Sequence, residues 1–137
     1  MEKQVVCAII KKTNKNKVKE FLLVSSKKDF GKFTGCWHPS GGHLKENETQ
    51  EQALIREVKE EVNLKIKPIK LLCKTKGDVP NQKTFWWNCK TKNHKIKLSK
   101  NDNVHTAGFF TEKEIKKMQL WPATKKVFEK FIFKKEN

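Results

Sequence analysis

The sequence predicts an α/β fold, and three observations carry that expectation. Apolar, β-branched runs at 4–11 (QVVCAIIK) and 18–25 (VKEFLLVS) are hydrophobic on both faces, as strands buried between layers are. Two more strand-like runs, 66–75 (IKPIKLLCKT) and 83–91 (KTFWWNCKT), follow a long amphipathic stretch at 51–62. A second amphipathic stretch at 122–133 supplies another helix to cover a sheet. At 137 residues the chain is large enough for a single core, and a single domain over 1–137 is expected.

Taken in order, the first two runs flank Thr13-Asn14-Lys15-Asn16, whose turn chemistry predicts an antiparallel hairpin. The lysine-bearing loop 26–35 leads to CWHPSGG at 36–42, a short strand and turn in which Gly41 and Gly42 permit close approach of the backbone. His38 and His43 flank this turn, placed either to contact phosphate or to serve the turn itself. Beyond 51–62, alternation puts Phe85 and Trp87 on one face of a strand and Trp86 on the other. One face is expected to pack in the core, whereas the other could stack on a base, which makes Trp86 and Trp87 candidate substrate contacts. Residues 94–98 read as a short strand, 99–104 as a polar loop and 112–118 as a short helix. In the last helix Pro122 suits the first turn, and Val127, Phe128, Phe131 and Ile132 are expected to face the core.

Chemistry concentrates in GHLKENETQEQALIREVKEEVNL, residues 42–64. A helix turns by about 100° per residue, so Glu57, Glu60 and Glu61 share one face, while Leu54, Ile55, Val58 and Val62 form an apolar arc. Ala53 lies one turn below Glu57 on the acidic face, where a small side chain leaves room for something to approach. Like charges spaced three and four apart destabilise a helix, the more so near its negative C-terminal end. A divalent cation would reverse that sign, and carboxylate oxygens are the ligands Mg²⁺ and Mn²⁺ prefer. Arg56 is the only arginine in the chain, which points to a need for a planar fork at that position. Glu48, Thr49 and Gln50 supply N-terminal capping, and Asn63 suits the left-handed residue that ends a helix.

The order of Gly42, Glu48, Arg56, Glu57, Val58, Glu60, Glu61 and Leu64 resembles the signature of the Nudix, or MutT-like, hydrolases. Asn63 stands where that signature has glycine, and Pro39-Ser40 where the family commonly has an apolar residue and proline. The resemblance implies an α/β/α sandwich with a mixed β-sheet between helices, and metal-dependent cleavage of a phosphoanhydride with Mg²⁺ or Mn²⁺. It implies metal ligands at the Gly41 carbonyl, Glu57, Glu60 and Glu61, with Asp102 as a further acidic ligand if not an ordinary loop aspartate. Arg56, Glu57, Glu60 and Glu61 would form the catalytic group, with Gly42 and Glu48 as supporting motif positions. The segment 120–131 resembles the C-terminal end of MutT-like proteins, which makes Trp121 and Thr124 candidates for contact with a base. The substrate expected is a nucleoside diphosphate linked to another moiety. A (d)NTP pyrophosphohydrolase cleaning the nucleotide pool is the alternative, and a non-catalytic binder of nucleotide or RNA is the reading from another class.

A formal net charge of +16 marks either a diffuse, lysine-covered surface that steers polyanionic substrates or an RNA partner. Cys7, Cys36, Cys73 and Cys89 form no C-x-x-C pair and read as buried free thiols of a reducing compartment. No apolar run is long enough to span a membrane and no signal-peptide pattern opens the chain, so no membrane association and a cytoplasmic location are expected. Monomer and homodimer both stay open.

Overall fold

Two strands that begin as a hairpin and then separate organise the molecule, a computed structural model that describes residues 2–26, 31–99 and 104–134. Strands β1 (Lys3–Thr13) and β2 (Lys19–Ser26) pair antiparallel at only three positions, Lys11 with Phe21, Lys12 with Glu20 and Thr13 with Lys19. Beyond these positions they part. β1 pairs parallel with β6 (Gln82–Thr91) and antiparallel with the short β4 (Gly41–His43), and β6 pairs antiparallel with β5 (Ile66–Lys76). β2 pairs antiparallel with β3 (Trp37–His38) and β7 (Val104–Thr111). The result is the expected mixed sheet, in the order β3-β2-β1-β6-β5, with β4 attached to β1 and β7 to β2.

Alternation along β1 builds a core on each face. Val6, Ala8 and Ile10 pack with Ala53, Leu54, Val58 and Val62 of helix α1 (Gln50–Val62). Cys7 and Ile9 pack with Trp86, with Ile115 of α2 (Glu112–Ile115), and with Val127 of α3 (Pro122–Val127). A π-helical turn, Phe128–Ile132, continues α3 and buries Phe128 in the same cluster.

Helix α1 begins and ends as its sequence dictates. The Thr49 hydroxyl accepts the Gln52 N–H at 3.1 Å and the Gln52 side chain accepts the Thr49 N–H at 2.9 Å, a reciprocal cap. At the other end Asn63 takes the left-handed conformation with φ of 59°.

Four expectations are corrected. Ile55 is exposed and Ala53 is fully buried, because α1 docks through Ala53, Leu54, Val58 and Val62, and the apolar arc lies to one side of where Ile55 points. Residues 94–98 are not a strand. The Lys97 N–H is taken by the Val62 carbonyl at the end of α1, and Ile96 packs on the first core instead of joining a ladder. The helix expected at 112–118 ends at Ile115. Phe131 is exposed, since the widened turn, in which the Phe133 N–H reaches back to Phe128 O, rotates it outward and lets Phe133 pack against Phe128 instead. The four cysteines are free thiols, with Cys7, Cys36 and Cys89 buried. No described helix is long and apolar enough to cross a membrane.

Candidate active site

The separation of β1 from β2 opens a cleft of about 390 Å³. Its walls include Cys7 of β1, Gly41, Gly42 and His43 of β4, Glu57 and Glu61 of α1, Thr84 and Trp86 of β6, and Trp121 and Thr124 at the start of α3. The lining therefore combines acidic and aromatic side chains.

The glycines explain how α1 reaches the cleft. A Cβ on Gly41 would run into the Val6 carbonyl, so only glycine lets β4 lie this tightly on β1. A Cβ on Gly42 would meet the Glu57 carboxyl carbon at 2.5 Å, so the acidic side chain rests directly against the backbone there.

Arg56 binds the acidic residues together. Its Nε and Nη2 donate to the two oxygens of Glu48, each at 2.8 Å, and Nη1 donates to Glu57 Oε1 at 2.8 Å and Glu60 Oε2 at 3.3 Å. Nη2 also donates to the His43 carbonyl at 3.0 Å, which ties the helix to β4. Lysine has no fork with which to make this set of bonds. The Arg56 hydrogen bonds, helped by the Lys45 N–H, hold the Glu48 carboxyl down to about 2. Glu48, nine residues before the first of the acidic trio, is thus the anchor of the arginine.

Glu61 is buried yet partnered. Its Oε1 accepts the Ser40 hydroxyl at 2.5 Å and the Gly41 N–H at 3.0 Å. Two donors of this kind satisfy a carboxylate that burial would otherwise destabilise. Ser40, one of the three positions named above as departing from the resembled pattern, is thus a partner that the sequence alone does not assign. Its only available signal was a small hydroxyl beside the glycine pair.

The other candidates divide. Trp86 is almost wholly buried and donates its indole N–H to Thr75 at 3.0 Å, while also lining the cleft. Trp121 and the buried Thr124 line the cleft as well. Trp87 lies on the opposite face of β6, packs against the α1 core and donates to Gln50 Oε1 at 2.8 Å, so it stands apart from the cleft. Glu60 is about half exposed and is not part of the cleft wall. Asp102 lies outside the described residues. His38 and His43 both line the cleft. Burial lowers the His38 pKa, and its Nδ1 sits 2.9 Å from the Pro39 carbonyl, which can only accept, so Nδ1 is the donor there. Asp78, from the β5–β6 turn, also borders the cleft and accepts the Ala123 N–H at 3.1 Å.

The acidic wall offers oxygen donors only, the set suited to a hard divalent cation. Among the described residues no three His, Cys, Asp or Glu side chains converge on one point. Arg56 draws Glu57 and Glu60 toward itself, while Glu61 faces Ser40 and Gly41.

The low Glu48 value carries a pH prediction. The group titrates near 4.5 when unperturbed and near 2 when folded, so its stabilisation is complete above about pH 4.5 and fades as pH falls toward 2. Glu48→Gln is expected to flatten that part of the curve when melting temperature is followed from about pH 6 to about pH 2. An unchanged acid limb in the variant would refute the assignment.

Three comparisons bear on identity. A model of the NUDIX domain matches residues 1–131. The chain is 26% identical over 140 residues to the nucleoside triphosphatase NudI of Enterobacter sp. (strain 638), covering 93% of this chain and 94% of that one. Over 48 residues it is 42% identical to an 8-oxo-dGTP diphosphatase of Proteus vulgaris, covering 35% of this chain and 43% of the relative. The NUDIX domain of Shewanella oneidensis NrtR, in its cocrystal structure with ADP ribose, shares the fold with a TM-score of 0.80 and 18% identity, over 94% of this chain and 85% of the other. With the family's model matching nearly the whole sequence and its signature forming the acidic wall of the cleft, the chain belongs to the NUDIX domain family and is a Nudix hydrolase acting on acid anhydrides.

Proposed function

We propose that the protein hydrolyses the phosphoanhydride of a nucleoside diphosphate linked to another moiety, using Mg²⁺ or Mn²⁺. The observation that carries this reading is a single cleft whose lining combines Glu57, Glu61 and the Gly41–Gly42 backbone with Trp86, Trp121 and Thr124. Hydrolases of this family generally use divalent metals, and the oxygen donors of Glu57, Glu60, Glu61 and the Gly41 carbonyl would hold one here. When bound, such an ion neutralises phosphate charge and lowers the pKa of a coordinated water. The protein's own part is orientation. Arg56 fixes Glu57 and Glu60, Ser40 and Gly41 fix Glu61, and Glu48 fixes Arg56. Trp121 offers ring surface to a base, and the almost wholly buried Trp86 and Thr124 complete that part of the lining.

The second reading, a (d)NTP pyrophosphohydrolase, is supported by the near full-length similarity to a nucleoside triphosphatase. A panel of ADP-ribose, nucleotide sugars, dinucleoside polyphosphates and dNTPs, each with Mg²⁺ and with Mn²⁺, separates the two. Turnover is expected to be highest on a linked nucleoside diphosphate and to vanish in chelator, and Glu60→Gln is expected to remove nearly all of it without unfolding the protein. Preference for dNTPs selects the second reading. Wild-type turnover by Glu60→Gln in the presence of metal overturns the role given to the acidic helix.

A further inference from the structure

A ledge of lysines crosses the sheet at the end away from the cleft. On β1, β6 and β5, alternation sends Ile9, Trp86 and Cys73 toward the face covered by α3 and the π-turn. The same alternation carries Lys11, Lys90 and Lys67 onto that face farther along the strands. Lys67 and Lys90 are direct partners across the antiparallel β5–β6 pair, so their Cβ atoms stand about 5 Å apart. Lys70 lies opposite Asn88 on the same face. Lys130, on the π-turn, is close enough to Cys73 to act on its thiol electrostatically, which adds another cation on this side.

These lysines are exposed and enter none of the ion pairs among the described residues. β1, β5 and β6 contain no Asp or Glu. Like charges directly opposite each other destabilise a sheet, and a bound polyanion would offset that cost. Next to Lys130, Phe131 is exposed, with the Lys130 ammonium 5.3 Å from its ring centroid.

We infer that this ledge binds the phosphate backbone of a single-stranded polynucleotide, with Phe131 stacking on an unpaired base. A duplex offers no free base face to the ring, and a single exposed ring among lysines makes a weak membrane anchor. Lys67 and Lys90 stand apart from the cleft, since Lys90 lies four residues, about 13 Å, along β6 from Trp86, whereas Lys130 and Phe131 lie on the turn beside Cys73, the cross-strand partner of Trp86.

The test uses the full chain and a radiolabelled, unstructured oligoribonucleotide with a 5′-hydroxyl, which offers the cleft no pyrophosphate. Two variants lose equal charge. One is K67Q/K70Q/K90Q/K130Q, and the other is K15Q/K19Q/K113Q/K117Q, at the hairpin and α2. In filter binding over a salt series, the ledge variant is expected to bind at least about 10-fold more weakly, with a log–log salt slope smaller by about 3, from about 0.7 per lysine. The control variant should stay near wild type. Phe131→Ala, which leaves every charge in place, should lose about 5-fold or more with the slope unchanged. Equal losses in the two quadruple variants, a preference for duplex, or no binding by the wild type overturns the inference. So does adsorption to phosphatidylserine vesicles that the ledge variant loses while its RNA binding is intact.

Discussion

Glu61→Gln is expected to lower kcat by about 10³-fold or more while leaving the melting temperature within a few degrees of wild type. What the side chain does for the fold is separable from what its charge does in the cleft. Glu61 Oε1 accepts the Ser40 hydroxyl and the Gly41 N–H. A glutamine carbonyl can accept the same two bonds, and its volume is nearly the same, so the packing of α1 on β1 is preserved. What disappears is a negative charge on the cleft wall. If that charge holds a divalent cation against a pyrophosphate, several kcal/mol of transition-state stabilisation go with it, at about 1.4 kcal/mol per factor of ten. Steady-state rates beside a thermal melt decide the matter. A folded Glu61→Gln protein turning over at close to the wild-type rate removes the acidic wall from the mechanism.

The second large effect is expected at Arg56. Arg56→Lys keeps the charge but loses the fork, and the lysine ammonium cannot reach Glu48, Glu57, Glu60 and the His43 carbonyl together. A drop in kcat of about 10-fold or more is expected, since Glu57 loses the hydrogen bond that orients it and misplaced catalytic groups are costly. Melting temperature should also fall, by about 3–8 °C, because α1 and the loop before it are joined through this side chain. Arg56 touches acids and a backbone carbonyl and neither Trp86 nor Trp121, so KM for substrates differing only in their base should move together. If kcat survives while stability falls, Arg56 is a brace for the fold and nothing more.

Local signals were legible in the sequence, and partners distant along the chain were not. The limits of α1 could be read because its caps, Thr49 and Asn63, lie within one turn of its ends. The solitary arginine and the glutamates around it could be read for the same reason, since three of its four side-chain and backbone acceptors lie within eight residues of it. The burial of Glu61 could not, because Ser40 and Gly41, which make that burial tolerable, are 21 and 20 positions away. Periodicity placed Ile55 in the apolar arc but could not set the angle at which the helix docks. The π-turn defeated the reading of Phe131, since one wider turn shifts the inward face by most of a residue and nothing in FEKFI announces it. Trp86 and Trp87 were correctly sent to opposite faces, yet which face opened onto the cleft depended on where β1 and β2 part.

That division of the indoles has a practical consequence. The chain has four tryptophans and no tyrosine, so its near-ultraviolet emission comes almost wholly from Trp37, Trp86, Trp87 and Trp121. Two of these emitters, Trp86 and Trp121, border the cavity, whereas Trp87 is turned to the helix on the far side of the sheet. A nucleotide entering the cavity would therefore quench part of the signal and leave a constant background, giving an unlabelled titration in the same cuvette that reports unfolding.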